Sequence, residues 1–457
     1  MSARNGAPAS VVIRGVRVID PLAGEDNTLR SVWLLDGTLK AVDRRLDVRG
    51  ATVIDLTPRD GDEPLVLCPA FIDIHAHLRE PGEEEKETVL SGAAAAAAGG
   101  FGQVVAMANT RPPVDSPGEV GRARGRTARA GVRVIPAAAV TRGLHGEELV
   151  DLAGCAAAGC AAFSDDGRNA ATPRLLAQAI AEADELARAV LVHCEDEGMV
   201  AAANPGAQNV TRCPVRPAAC ELSAVENALR ALAEAGRGRL HLQHLSCAGS
   251  VELLREARER GLEVTAEVTP HHLAMWRPFA DPPRPPALAK VNPPLRGERD
   301  REAMVLALRE GLVDCVATDH APHTDQDKSG EYDEAAPGMV GLETALASCL
   351  TLGGMGGAWT AALVERLTAG PWRVLGAESG LLEPRLRTGE PATVTLFDPV
   401  AAWTVSRHGM RSLSRNTPLL GTQLRGRVLL TMVAGTVAHR ADDIRLGSAF
   451  DKETPRA

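Results

Sequence analysis

Two histidines two positions apart stand in the segment Asp73-Ile74-His75-Ala76-His77-Leu78-Arg79-Glu80-Pro81-Gly82, directly after the apolar run Leu65-Val66-Leu67-Cys68-Pro69-Ala70-Phe71-Ile72. Side chains alternate along a strand with period two, so both imidazoles project the same way from a strand end. Imidazole is the commonest metal ligand near neutral pH, and two ring nitrogens on one side of a strand can meet one ion. Four further apolar runs end in side chains of the same kind. Ala161-Ala162-Phe163-Ser164 leads to Asp165 and Asp166, and Ala189-Val190-Leu191-Val192 leads to His193. Leu240-His241-Leu242-Gln243 leads to His244, and Cys315-Val316-Ala317-Thr318 leads to Asp319, with His320 and His323 beyond. Any one of these alone reads as a buried, hydrogen-bonded histidine or a helix-capping aspartate. Their recurrence at five successive strand ends reverses that reading and points to a metal centre.

Such groups need a scaffold that presents many strand ends to one place. A (β/α)8 barrel does so at the C-terminal ends of its parallel strands. Residues Leu65 to about Gly376 alternate short apolar runs with Ala- and Leu-rich helical segments, the βα pattern of a parallel sheet. Before and after this stretch the pattern turns to strands. Val11–Arg14, Val16–Ile19, Ser31–Leu35 and Thr52–Asp55 lie on one side, with a turn at Asp36-Gly37, and Ala392–Phe397 and Val428–Ala434 lie on the other. The expected fold class is therefore α/β: a (β/α)8 TIM-like barrel over residues 65–384 beside a small β-sandwich domain built from residues 1–64 and 385–457.

Several other features have plain readings. Ala93 to Ala98 is a packed helix ending at Gly99-Gly100, since alanine is the best helix former. Gly100-Phe101-Gly102 precedes a strand instead of joining strand to helix, so it is no dinucleotide fingerprint. The Pro-rich stretch 281–286 reads as a stiff loop. His271 and His272 read as scaffold near a strand end, and Glu195 and Asp196 as groups able to orient metal-bound imidazoles. The polar segment Thr324 to Pro337 reads as a mobile loop beside the site. Arg122, Arg124 and Arg126 read as a solvated helix face.

The formal net charge of −9 argues against a general nucleic-acid binder, whose footprint would be basic. Nine scattered cysteines, an odd number, argue against a disulfide framework, and no apolar run suggests a leader or a membrane span. A cytoplasmic enzyme is expected.

In order along the chain, D-I-H-A-H-L-R-E-P-G, M-A-N-T, F-S-D-D-G, H-C-E-D, E-V-T-P-H-H, N-P-P-L-R and A-T-D-H-A-P-H resemble bacterial class I dihydroorotase, of the amidohydrolase superfamily. The resemblance implies interconversion of N-carbamoyl-L-aspartate and L-dihydroorotate in pyrimidine synthesis, at a site of one or two zinc ions. It implies His75, His77, Asp166, His193, His244 and Asp319 as metal ligands, Asp166 as the bridge, and Asp319 also as the catalytic acid and base. It further implies Arg79 and Asn109 on the substrate carboxylate, with His77, Asn292, His323 and the backbone at Pro337 and Gly338 completing the substrate pocket. Many relatives bridge their metals with a carboxylated lysine. This chain has no lysine between Lys86 and Lys290, which leaves Asp166, or less readily Asp165, for that role. The implied partners are a small-molecule substrate, further copies of the chain, and in some members aspartate carbamoyltransferase. Two alternatives stand beside this: a hydantoinase- or dihydropyrimidinase-like enzyme, and a subunit that serves a carbamoyltransferase structurally or depends on it for activity.

Overall fold

A computed structural model describes residues 10–168, 172–205, 215–276, 286–352, 357–442, 444–446 and 450. The Pro-rich stretch lies outside the described residues except for its last proline, and Cys213 lies outside as well.

Strands from both ends of the chain join one eight-stranded sheet. Its order is Thr436–Arg440, Gln423–Val433, Val394–Thr404, Val66–Pro69, Ser10–Asp20, Glu25–Leu35 and Thr38–Asp43, with Thr52–Asp55 pairing to Ser10–Asp20. Period-two alternation puts Ile13, Val32, Leu34, Leu67, Leu396 and Leu430 into one apolar cluster. The two strands expected at Val11 and Val16 are one strand, irregular around Gly15, where φ is +74° and an added Cβ would lie 2.3 Å from Thr57 Cα. Asp36 and Gly37 both take positive φ, 49° and 73°, as a two-residue hairpin turn of the I′ type requires.

The central segment supplies eight short strands: β1 (Phe71–Ala76), β2 (Phe101–Ala106), β3 (Arg133–Pro136), β4 (Phe163–Ser164), β5 (Ala189–His193), β6 (Arg239–Gln243), β7 (Val264–Val268) and β8 (Cys315–Val316). β1, β2 and β3 pair in parallel in that order, and β4 to β8 form a second parallel sheet in chain order. Single parallel bridges join Ala138, after β3, to Phe163 and Ala76 to His320, after β8. Helices fill the connections, among them Val89–Ala98, Pro173–Glu185, Ala218–Ala235 and Glu298–Glu310. Both strand faces are covered. Ile72, Ile74, Val105, Ile135, Leu191 and Ala317 pack with one another, while Phe101, Val104, Phe163, Val190 and Leu240 pack with Leu176, Val225 and Leu254 of the helices.

The alanine-rich helix Val89–Ala98 buries Ala93, Ala95, Ala96 and Ala97 and starts from a capping box between Thr88 and Ser91, a device worth about 1 kcal/mol. The run Leu65–Ile72 divides at Ala70. Val66–Pro69 belongs to the eight-stranded sheet and Phe71 begins β1, so the chain changes sheet at Ala70. Among the described residues no helix is long and apolar enough to cross a membrane, and eight cysteines are free and buried.

Candidate metal centre

Each of the six side chains anticipated as ligands sits at or just past the C-terminal end of a β-strand. His75 is inside the end of β1 and His77 follows it; Asp166 follows β4, His193 ends β5, His244 follows β6 and Asp319 follows β8. All six are buried. The Asp166 carboxylate stands at their centre. Its Oδ1 is 3.3 Å from His75 Nε2, 3.6 Å from His193 Nδ1 and 3.7 Å from His244 Nε2, and its Oδ2 is 3.3 Å from His77 Nε2. Asp319 Oδ1 lies 3.0 Å from His77 Nε2 and 3.6 Å from His75 Nε2. Two groups of three residues, His75-His77-Asp166 and Asp166-His193-His244, bring their ligand atoms within 4.8 Å of one another. The two groups share Asp166.

The neighbouring Asp165 is turned away from this cluster. It accepts from the N–H groups of Val140 and Thr141 at 2.8 and 3.0 Å and from the Thr141 hydroxyl, so its oxygens are occupied in a loop contact. Consecutive residues leaving a strand point to opposite sides, and here that separates the two carboxylates.

Backbone strain gathers at the same place. His244 and Asp319 hold φ at 34° and 45°, and Arg79 at 61°, a left-handed region that only a few per cent of non-glycine residues enter. Such conformations cost on the order of 1–3 kcal/mol each and persist only where surrounding structure enforces them.

One carboxylate supporting the cluster lies deeper. Glu267, on β7, holds His75 Nδ1 through Oε1 at 2.6 Å and His241 Nε2 through Oε2 at 3.1 Å, and His241 Nδ1 meets the Thr265 hydroxyl at 2.8 Å. Glu267 is wholly buried. Its position inside an apolar strand, Val264-Thr265-Ala266-Glu267-Val268, was the available sequence signal, because a carboxylate in such a run must have a buried partner. His241, Glu267 and Cys315 also cluster closely enough to hold an ion. The imidazole and carboxylate there are already engaged with Thr265, His75 and each other, and burial raises the Cys315 thiol well above its ordinary range.

Burial opposes charge on these imidazoles, but the carboxylates outweigh it. Asp166 and Glu267 raise His75 well above the usual range, and Asp166 and Glu195 raise His193 to about 9. Burial opposes charge on the carboxylates too. His75 and its neighbours nevertheless hold Asp166 and Asp319 well down, and Glu267 falls to about 2. His75 Nε2, Asp166 Oδ1 and His244 Nδ1 are buried without a hydrogen-bond partner. A pocket of nitrogen and oxygen donors with orphaned atoms and strong attraction for positive charge fits a divalent cation such as zinc.

The remaining anticipated residues surround this centre. Asn109 Oδ1 lies 2.9 Å from His77 Nδ1, and its Nδ2 donates to Asp166 at 3.2 and 3.3 Å. The partly exposed Arg79 donates from Nε to the Pro322 carbonyl at 3.2 Å. Asn292 Nδ2 is 3.3 Å from both His193 Nε2 and Glu195 Oε2. His323 Nε2 is 2.9 Å from the Pro337 carbonyl oxygen. Gly338 has φ of +131°, and a Cβ there would lie 2.7 Å from Ala321 Cβ and 3.1 Å from the His323 ring.

Other expectations divide. Glu195 lies 3.7 Å from His193 Nε2, whereas Asp196 caps the helix Glu197–Ala203 through Met199 N–H and accepts from Ser223. His272 is tied to Thr269 and the Pro293 carbonyl, while His271 Nε2 is buried without a hydrogen-bond partner. His320 faces Glu87, away from the cluster. Asn416 went unnoticed in the sequence because it lies far along the chain among ordinary polar residues. Its side chain accepts from His323 N–H and donates to the carbonyls of Ala321 and Gly338.

Residues 65–247 match a family model described as "Dihydro-orotase-like". A dihydroorotase of Anaeromyxobacter dehalogenans is 42% identical over 436 residues, covering 94% of this chain and 98% of that protein. A dihydroorotase of Aquifex aeolicus is 35% identical, covering 94% and 99%. Among solved structures, a dihydropyrimidinase from Brevibacillus agri superposes with a TM-score of 0.80 at 22% identity over 94% of this chain and 95% of that one. An L-hydantoinase from Arthrobacter aurescens superposes with a TM-score of 0.80 at 23% identity over 95% and 96%. These likenesses establish a mixed α/β fold shared with cyclic-amide hydrolases.

Proposed function

Because the chain belongs to the dihydroorotase family, we propose that it is a metal-dependent cyclic amidohydrolase that interconverts L-dihydroorotate and water with N-carbamoyl-L-aspartate in pyrimidine synthesis. The observation carrying the proposal is the Asp166 carboxylate set among four imidazoles, with Arg79, Asn109, Asn292 and His323 around it. We assign one or two zinc ions to this site: His75, His77, Asp166 and Asp319 toward one, and Asp166, His193 and His244 toward the other. Zinc bound there would supply Lewis acidity toward the ring carbonyl and would acidify water.

The rest of the reaction falls to the chain's own groups. In the hydrolytic direction the water oxygen joins the ring carbonyl carbon and the bond from that carbon to the ring nitrogen breaks. Asp319 takes a proton from the attacking water and delivers it to the departing nitrogen, acting as base and then as acid. The new carboxylic acid sheds the second water proton to solvent, leaving a carboxylate and a free carbamoyl group, and synthesis takes that proton up and runs the same steps backwards. Arg79 and Asn109 grip the carboxylate already on the ring, for which a guanidinium fork is suited. His77, Asn292, His323 and the Pro337–Gly338 backbone hold the ring edge.

The finer architecture belongs to the same reading. Closure of β1 to β8 into a barrel is supported by the bridges at Ala138 and Ala76, and one domain built from both chain ends, proposed as a sandwich, by their shared sheet. Boundaries at residues 64 and 385, a cytoplasmic homo-oligomer and association with aspartate carbamoyltransferase are further proposals, the last two testable by light scattering with and without that enzyme.

The test is hydrolysis of L-dihydroorotate by the purified, zinc-loaded chain, with dihydrouracil and hydantoin in parallel. Turnover of dihydroorotate is expected. Turnover of only the uncharged rings makes the chain a hydantoinase-like enzyme, and inactivity on all three that is relieved by aspartate carbamoyltransferase makes it a partner-dependent subunit.

A further inference from the structure

Two buried lysine side chains stand behind the loop that carries His323 and Gly338; burial pulls Lys328 down to about 7, while three carbonyl acceptors around its Nζ call for the protonated, three-donor form. Lys328 and Lys290 are 6% and 2% exposed, in a chain whose 50 basic residues include only five lysines. Lys328 Nζ donates to three main-chain carbonyls, those of Ala336 at 2.7 Å, Gly338 at 2.9 Å and Lys290 at 3.1 Å. These acceptors come from two separate segments, so one ammonium ties residue 290 to residues 336–338. Lys290 reaches the opposite way. Its Nζ donates to the Asp333 carbonyl at 3.0 Å and lies 5.4 Å from the centroid of the Tyr332 ring. The Gly338 N–H completes the stitch by donating to the Lys290 carbonyl at 2.8 Å.

The partners decide what this arrangement is for. All three Lys328 bonds end on neutral carbonyls, while the adjacent Asp327 accepts from Thr324 at 2.9 Å and lies 3.9 Å from His323. An ammonium has three donors directed to the corners of a tetrahedron and fits three converging carbonyls; a planar guanidinium does not. The tied atoms also adjoin the groups that face the substrate. Asn292 follows Lys290 by two residues, and the Pro337 carbonyl, which meets His323 Nε2, lies between Ala336 and Gly338. No anticipated metal ligand takes part in any of these bonds.

We propose that Lys328, together with Lys290, is a positioning residue for the substrate: the two side chains clamp the segment carrying Asn292 to the Pro337–Gly338 turn and set the slot that takes a cyclic amide bearing a carboxylate. The inference rests on the dihydroorotase reading. Loss of the clamp misplaces binding groups and leaves the metal ligands where they are, so its signature is kinetic and falls mainly on KM. A misplacement of about 1 Å can cost about 100-fold.

The experiment compares wild type with Lys328→Met, Lys328→Gln and Lys290→Met, all zinc-loaded. The readouts are KM and kcat for dihydroorotate and for carbamoyl aspartate, bound metal, and the folded fraction by circular dichroism. KM is expected to rise about 10- to 100-fold at unchanged metal content, with a smaller change in kcat. An unchanged KM in folded, metal-loaded Lys328→Met overturns the proposal, as does activity lost only in proportion to lost metal or lost folded protein. Should Lys328→Met not fold, the Gln and Lys290 variants carry the same KM criterion. A wild type inactive on both substrates overturns the dihydroorotase reading instead, so the two failures are distinguishable.

Discussion

Replacing Glu267 by glutamine keeps the shape of the side chain and removes its charge. In the structure this carboxylate accepts from the His244 N–H at 3.2 Å and meets His75 Nδ1 at 2.6 Å and His241 Nε2 at 3.1 Å. A His75 that presents Nε2 to a metal carries its proton on Nδ1 and needs an acceptor there. Glutamine can still accept from Nδ1 through its amide oxygen, but the bond changes from charge-assisted to neutral. Bonds to charged groups contribute about 1.5–3 kcal/mol and neutral ones about 0.5–1.5, so the loss is about 1–2 kcal/mol at His75. The amide nitrogen then faces His241, which can answer by turning its proton to Nδ1 with Thr265 as acceptor, so no large second cost is added. The expected result is a fall in zinc affinity of roughly 5- to 30-fold. Glu267→Ala, which removes the carboxylate acceptor and leaves only the Gln243 amide nitrogen 3.2 Å from Nδ1, should reach about 100-fold. Competition with a chromophoric chelator at constant pH measures both. An affinity within twofold of wild type in each variant would refute the view that Glu267 fixes the His75 ring, whatever happened to turnover.

The other predictions concern the site and the fold. Asp319→Asn is expected to lower kcat by at least about 100-fold, the usual contribution of a positioned acid and base, and steady-state kinetics on dihydroorotate will decide it. Arg79→Met should raise KM for dihydroorotate about 100-fold and leave any turnover of dihydrouracil unaffected, since only the former offers a carboxylate to the fork. Stripping the metal with a chelator should lower Tm and readdition of zinc should restore it, because a ligand held by the folded chain alone stabilises it by mass action; a Tm indifferent to both steps excludes a bound ion at this cluster. Burial pulls His272 down to about 4 from an ordinary value of 6.5. The unfolded chain therefore takes up that proton between about 6.5 and 4 while the folded chain does not, and stability is lost as pH falls through this window. Tm against pH should slope less steeply in His272→Gln, and an identical slope contradicts the assignment.

The side chains that cluster here were legible because each prospective ligand carries its own local mark, an apolar run of strand length followed by a histidine or an aspartate. Strand and helix alternation is likewise a local pattern, so the βα succession and the strands of both chain ends could be read in advance. Adjacent residues were harder. Asp165 and Asp166 look alike in F-S-D-D-G, and only the loop donors of Val140 and Thr141 on one side and the imidazoles on the other separate them. Asp196 offered a carboxylate beside His193 and proved to cap a helix, since capping is decided by the backbone path that follows.

The sequence by itself determined which side chains end the strands, because period-two alternation and burial of apolar runs act over a few residues. Tertiary structure alone decided what surrounds them. Val66–Pro69 and the first residues of Phe71–Ala76 lie in one apolar run, Leu65–Ile72, yet the chain changes sheet within it, because the partners that distinguish the two strands come from residues 394–397 and from residues 101–106. Glu267 reaches His75 across 192 positions, Asn416 reaches His323 across 93, and Lys328 joins carbonyls 38 and 10 positions away. A buried hydrogen bond depends on where its partner lies in space, and no short pattern carries that information; it exists only once the strands have been brought side by side.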